Sequence, residues 1–355
     1  MDEVGLEGIL DLLSGDSEGV SSLPDRLVAD RSAALADRWS RWWQRHPELQ
    51  DRWGSLPDAH QRRLGEAPEL WTLLSVNGDP PLLARWLSAE EALAGWPDAV
   101  DAPCWTALGD CYIKKQGQTI EVANQAPRLC TGAIVDWQSP NALGHLIEVA
   151  GEAVPFEPDE ASAALRKLEL ACELLQAAAP HWLDLMKRFN TVVLMRKVPS
   201  YQGFSSATTR VAIGRPVLRN PSHPDGSPEL IADALVHETV HTILDHVELT
   251  TPLSPHMDRY PDARIQSGWS GKMLDLNTFV HACLVWFALF HVWLGAVRAR
   301  ATDYDNNIRL LVSRSRGFVG ANPTAQLEPY RDALQRGVFE LVEEAGRRVT
   351  AILNQ

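Results

Sequence analysis

The sequence predicts a mostly helical α+β protein, with one HExxH-bearing helix packed beside a small antiparallel sheet and a helical region ahead of both. Three observations predict it. Apolar residues recur at helical spacing through most of the chain; short β-branched runs divided by Gly, Pro and Asn fall between 118 and 218; and His237, Glu238 and His241 sit inside a well-patterned helical segment. The 355 residues are 45% apolar and 22% charged and include 13 Trp, enough apolar surface to offset the entropy of ordering. Asp and Glu outnumber Lys and Arg by 46 to 33, a net charge of −13 with no Lys/Arg cluster, which argues against general nucleic-acid binding.

Residues 1–98 read as a helical N-terminal region, with amphipathic helices at 23–43, 60–74 and 81–93. Its Trp39, Trp42, Trp43 and Trp53 are expected to pack in a core or domain interface, with a peptide-docking surface as the alternative. Residues 99–156 form a β-rich insert or substrate-binding region, with strands at 118–123, 132–138 and 145–150. Residues 157–355 form the third region. An acidic linker end caps a helix reaching about 189; strands at 191–198 and 208–218 flank a Ser- and Gly-containing turn at 200–207; and a helix spans 229–249. After an irregular stretch at 250–271, helices are expected at 274–301, 303–315 and 327–353.

The N-terminus starts acidic and lacks the basic segment and long apolar run of a secretory signal, so a cytoplasmic protein is expected. His281 and His291 interrupt the apolar run 279–297, which favours a buried core helix over a membrane span. Cys104, Cys111, Cys130, Cys172 and Cys283 are odd in number and form no CxxC pair, so reduced thiols are expected.

His237 and His241 lie four residues apart on one helical face, where two imidazoles can meet one cation, with Glu238 beside them as base or hydrogen-bond partner. The alternative is a pair of surface histidines bonded to Asp233, Asp245 or Glu248. A metzincin continuation would need Gly at 244 and His at 247, where the chain has Leu244 and Val247, and no NExxxD-like segment supplies a gluzincin glutamate. His281, near the start of an apolar helix, is the best remaining donor, although spacing alone also allows a histidine that is simply hydrogen-bonded. His291 does not share its face well.

From GFSSA through HETVH to GWSGKMLDLNTFVHACLVWF, the chain resembles the HExxH-containing peptide-modification proteins of ribosomal peptide (RiPP) biosynthesis, over about residues 160–350. That resemblance implies an iron(II)- and 2-oxoglutarate-dependent dioxygenase hydroxylating an unactivated β-carbon of a peptide or amino-acid residue. It also implies His237, His241 and His281 as the metal set, since Trp269 and His281 stand twelve apart as in the family's pattern. The chain departs from that pattern after the Trp, with Ser270, Gly271, Lys272, Leu274 and Asn277, so its 2-oxoglutarate or substrate contacts must differ or be missing. Three protein ligands on octahedral iron leave two positions for a 2-oxoacid and one for O₂. On zinc the same ligands leave a water and make Glu238 the base of a peptidase, and a catalytically inactive peptide-binding module is a third alternative. Arg264, Lys272 and Arg309 are the candidate cations for the distal carboxylate, each otherwise a solvated surface charge. Ser205, Ser206 and Trp269 are the candidate substrate contacts.

Overall fold

The computed structural model describes residues 4–16, 22–74, 78–117, 119–301 and 303–355; the acidic first residues and Gln118, which opens the expected 118–123 strand, lie outside them. In chain order the elements are α1 (Val4–Ser14), α2 (Leu23–Trp43), α3 (Pro47–Ser55), α4 (Asp58–Gly65), α5 (Leu70–Leu73) and α6 (Pro80–Leu93). Strands β1 (Cys104–Trp105), β2 (Cys111–Gln116), β3 (Thr119–Gln125) and β4 (Ile134–Asp136) follow, then α7 (Pro140–Leu143), α8 (Pro158–Ala178) and α9 (His181–Phe189). Next come β5 (Val192–Arg196), β6 (Ser205–Ala207), β7 (Val217–Arg219) and α10 (Pro228–Glu248). The chain closes with β8 (Ile265–Gln266), β9 (Met273–Leu274), α11 (Leu276–Ala299), α12 (Tyr304–Gly320), α13 (Pro323–Leu327) and α14 (Val338–Leu353). The protein is thus a mostly helical α+β fold.

Contacts divide the chain into two compact units of interleaved segments, a division of a different kind from the three consecutive regions expected. One unit comprises Met1–Arg31, Ala171–Leu185 and Leu235–Gln355, the other Ser32–Leu170 and Met186–Ala234.

The unit containing Ser32–Leu170 holds two sheets. β1, β2 and β3 form an antiparallel meander against α6, whose Ala89 and Ala92 share a core with Val100 and Ile113. The second sheet has the order β4-β5-β7-β6, and it is not the small antiparallel sheet expected: β4, β5 and β7 run parallel and only β6 opposes β7. Parallel neighbours need long crossovers, and the β4–β5 link carries α7, α8 and α9 while residues 197–216 separate β5 from β7. β5 is buried along its whole length, as a parallel strand should be. The expected strand at 145–150 is irregular backbone instead. There Glu148 turns inward to accept from Arg215 Nη2, whose Nη1 donates to Glu69 at 2.8 Å. The tryptophans pack on one another, Trp39 stacking on Trp43 at 4.4 Å.

The other unit is a helical assembly around α11. Asp275 caps α11 by accepting from the Thr278 amide at 2.9 Å, and Arg300 ends it in the left-handed region at φ 50°. α1, α12 and α14 pack on it. α11 is long and apolar enough to cross a bilayer, but 72% of its most apolar window is buried within the protein, as a core helix requires. Gly295 lets α11 approach the Ala178 carbonyl so closely that a Cβ would lie 2.1 Å from that oxygen.

Candidate functional site

The HExxH segment lies on α10, which begins after Ser227, whose hydroxyl accepts from the Leu230 amide. Leu235, Val236, Val240, Ile243, Leu244 and Val247 are buried and fix which way the helix faces. Thr239 and Thr242 donate back to the carbonyls of Leu235 (2.6 Å) and Glu238 (3.0 Å). The remaining face presents His237 and His241, both half-buried, with their Nε2 atoms 3.2 Å apart. Two nitrogens each about 2.1 Å from one cation stand roughly 3.0–3.4 Å from each other, so this pair is spaced to share one.

The cap at Asp275 sets the register of α11 so that His281, 4% exposed, falls in its second turn. His281 Nδ1 lies 3.1 Å from His241 Nδ1, and its Nε2 lies 2.9 Å from Glu248 Oε2. Glu248, His281, His241 and His237 therefore form a continuous file. A neutral imidazole donates through one nitrogen and accepts at the other. If the carboxylate accepts from His281 Nε2, then His281 Nδ1 accepts from His241 Nδ1, and His241 Nε2 is left as a bare lone pair facing His237. That is the tautomer a metal ligand needs.

The structure brings the three expected ligands together but not around one point, since His281 meets the nitrogen of His241 that faces away from His237. Among the described residues no group of three or more His, Cys, Asp or Glu side chains is disposed to hold a metal ion. The His237–His241 pair fits a cation; the third donor is adjacent without being convergent. Glu238 is buried, at 2% exposure, beside His237 on α10.

The Trp286 ring also meets His237 edge-on, with ring centres 6.2 Å apart at 88°. Trp269 stacks on Trp286 at 5.9 Å and 7°, donates from Nε1 to the Arg314 carbonyl at 2.8 Å, and lies flat on Gly317 of α12. Trp269 is thus buried one ring away from the histidines. Arg314 holds its guanidinium over Trp286, 5.0 Å from the ring centre.

The other expected contacts lie elsewhere. Arg264, Lys272 and Arg309 are exposed, and Arg264 Nη1 donates to the Ala263 carbonyl at 2.7 Å. Ser205 and Ser206 belong to the other unit, in β6 rather than a turn, where Ser205 Oγ accepts from Arg219 Nε at 2.8 Å. Sequence reasoning missed Trp286 and Arg314 as neighbours of the histidines, and it weighed Glu248 only as a competitor. Glu248 had a signal, since it lies seven residues after His241 on the same face. Arg314 had none, because it is one of several arginines on its helix. Further along α10, burial pushes the His246 pKa down to about 4, and its Nδ1 lies 2.7 Å from the Thr242 carbonyl, so it is a neutral core residue.

No protein-family model matches the chain, and no curated protein matches it.

Proposed function

We propose that this protein is a mononuclear metalloenzyme: an iron(II)- and 2-oxoglutarate-dependent oxygenase that hydroxylates an unactivated carbon, the β-carbon of a residue in a peptide or amino-acid substrate. The observation that carries the metal is the 3.2 Å separation of two half-buried Nε2 atoms on one helical face. His237 and His241 would hold the ion, while the third histidine, His281, stands behind His241 with its two nitrogens on His241 and Glu248. Iron(II), when bound, supplies oxidative hydroxylation, in which 2-oxoglutarate and O₂ become succinate and CO₂ as one oxygen enters a C–H bond. The chain's own residues position the pair. Glu248 accepts a hydrogen bond from His281, which would set the tautomer of His241, and the Trp286 ring meets His237 edge-on. A cytoplasmic setting suits this reading, since it supplies 2-oxoglutarate and keeps cysteines reduced.

The experiment is anaerobic reconstitution with iron(II), then addition of 2-oxoglutarate, O₂ and a panel of peptides and amino acids. Succinate release that depends on iron, with a 16 Da gain on a substrate, supports the proposal. Tight stoichiometric zinc with peptide cleavage abolished in Glu238→Gln would replace it by a zinc peptidase.

A further inference from the structure

One side of α12 packs on α11 and α14, and Asn307, Ser315, Gly317 and Phe318 are buried there. The other side is apolar where a surface helix is normally polar. Of the twelve large apolar side chains exposed among the described residues, four sit on this one helix: Tyr304 at 46%, Ile308 at 36%, Val312 at 58% and Val319 at 64%. The other eight are spread one to an element or loop. At about 100° per residue, Ile308, Val312 and Val319 fall within about 40° of one another and Tyr304 lies about 40° beyond, so the four make one stripe along the helix. A contiguous apolar stripe of this kind marks an interaction surface, whereas isolated exposed apolar residues do not.

Charges at the margin decide what the stripe fits. Asp305 and Arg316, both exposed, flank it on the same side within about 20° of each other, Asp305 in the first turn and Arg316 in the penultimate one. A second copy laid antiparallel across the stripe therefore brings an acidic end against a basic end. A two-fold axis crossing α12 near residues 310–311 sets Ile308 of each copy beside Val312 of the other and, in the same register, Asp305 of each beside Arg316 of the other. A parallel pair would set like charges and like ends of the helix dipole together. The face is also neutral in a chain of net charge −13, because the exposed Asp303 and Asp305 balance the exposed Arg309 and Arg316. Two acidic molecules meet there with the least repulsion. The seventeen residues of α12 span about 26 Å, a strip too narrow by itself for the roughly 800 Å² per copy of a stable interface. Val319 also lines a groove of about 1020 Å³ with Phe318, Pro323, Phe339 and Ala351, which widens the face at that end.

We infer that the exposed face of α12 is a homodimer interface, at which two copies of this chain pair antiparallel across a two-fold axis.

The test is sedimentation equilibrium of the full chain, with circular dichroism to establish that each variant is folded. Wild type should have twice the 39.3 kDa mass of one chain. Val312→Glu, which would bury a charge at the centre of the stripe, should weaken the dimer by about 100-fold or more, and Ile308→Lys carries the same comparison if Val312→Glu does not fold. Asp305→Arg and Arg316→Asp should each weaken it about 10-fold, and the double variant, which restores opposite charges across the axis, should return to within about threefold of wild type. A wild-type monomer at concentrations up to about 100 μM overturns the inference and gives the stripe to a different occupant. A dimer indifferent to both Val312→Glu and Ile308→Lys overturns it as well, because the copies then meet through another face. Single charge variants without effect, or a double variant that does not recover, overturn the antiparallel pairing.

Discussion

Gly317→Ala tests whether the aromatic support of the site is built as described. A Cβ at Gly317 would lie 2.2, 2.3 and 2.7 Å from three atoms of the Trp269 ring, far inside van der Waals contact. The ring has little room to retreat: it is 3% exposed, stacked on Trp286 and met edge-on by Phe318 at 4.8 Å. Overpacking of this kind costs about 3 kcal/mol, whereas replacing a helical glycine by alanine returns about 1 kcal/mol, so the net loss should be about 2 kcal/mol. Gly320, three residues along α12, has nothing within 4 Å of the position its Cβ would take, so Gly320→Ala should be neutral or stabilising by up to about 1 kcal/mol. Urea denaturation of both variants isolates the contact, because the change in helix propensity is of the same kind in each. Near-UV circular dichroism should also change in Gly317→Ala alone as the tryptophan stack shifts. Equal stability of the two variants would refute the packing of Trp269 on α12 and of Trp286 on Trp269.

Acid should destabilise the unit that carries the histidine file. Burial pushes His181, His246 and His291 down to about 4, so between about pH 6.5 and 4 the unfolded chain binds more protons than the folded one and stability falls with pH, by up to about 3 kcal/mol for each. Asp136 in the other unit, pushed up to about 6 by burial, works in the opposite sense between about pH 6 and 3.8; a flat urea midpoint from pH 7.5 to 5 would contradict the His burial. Arg215→Ala should cost about 3–5 kcal/mol by leaving the Glu69 and Glu148 carboxylates buried without their cation, whereas Arg347→Ala, at a side chain 68% exposed, should leave the urea midpoint nearly unchanged. At the site, His281→Ala and Glu248→Gln, which both break the hydrogen-bonded file that would set the His241 tautomer, should each weaken the proposed metal binding about 10–100-fold; an unchanged metal titration in both variants would refute that role of the file.

The helical part of the fold was largely legible. Residues 23–43 coincide with α2, and α6, α10 and α11 fall within two residues of their expected ends, because long amphipathic or apolar periods and Asp caps mark them. Prolines hidden in otherwise helical patterns caused the errors of continuity. The expected helix at 60–74 breaks before Pro68, and the expected helix reaching 189 breaks at Pro180 into α8 and α9. The β segments were harder. HLIEVA alternates like a strand, yet Glu148 is inward for Arg215, a tertiary demand that local spacing does not show. The continuous apolar run Val192–Arg196 did carry the signature of a parallel strand buried on both faces. Of the site, the helical period brought His237 and His241 together, and the apolar setting of His281 marked it. That Trp286 and Trp269 stand beside His237 depends on how α11 and α12 meet, which no pattern within one helix encodes.

The most direct test of the central claim is a calorimetric titration of the metal-free protein with iron(II) under anaerobic conditions, alongside His237→Ala and His241→Ala. The account expects one site per chain in wild type and its loss in both variants, because their facing Nε2 atoms share the ion. Absence of a stoichiometric site in wild type, or a site that persists unchanged in both variants, would contradict it.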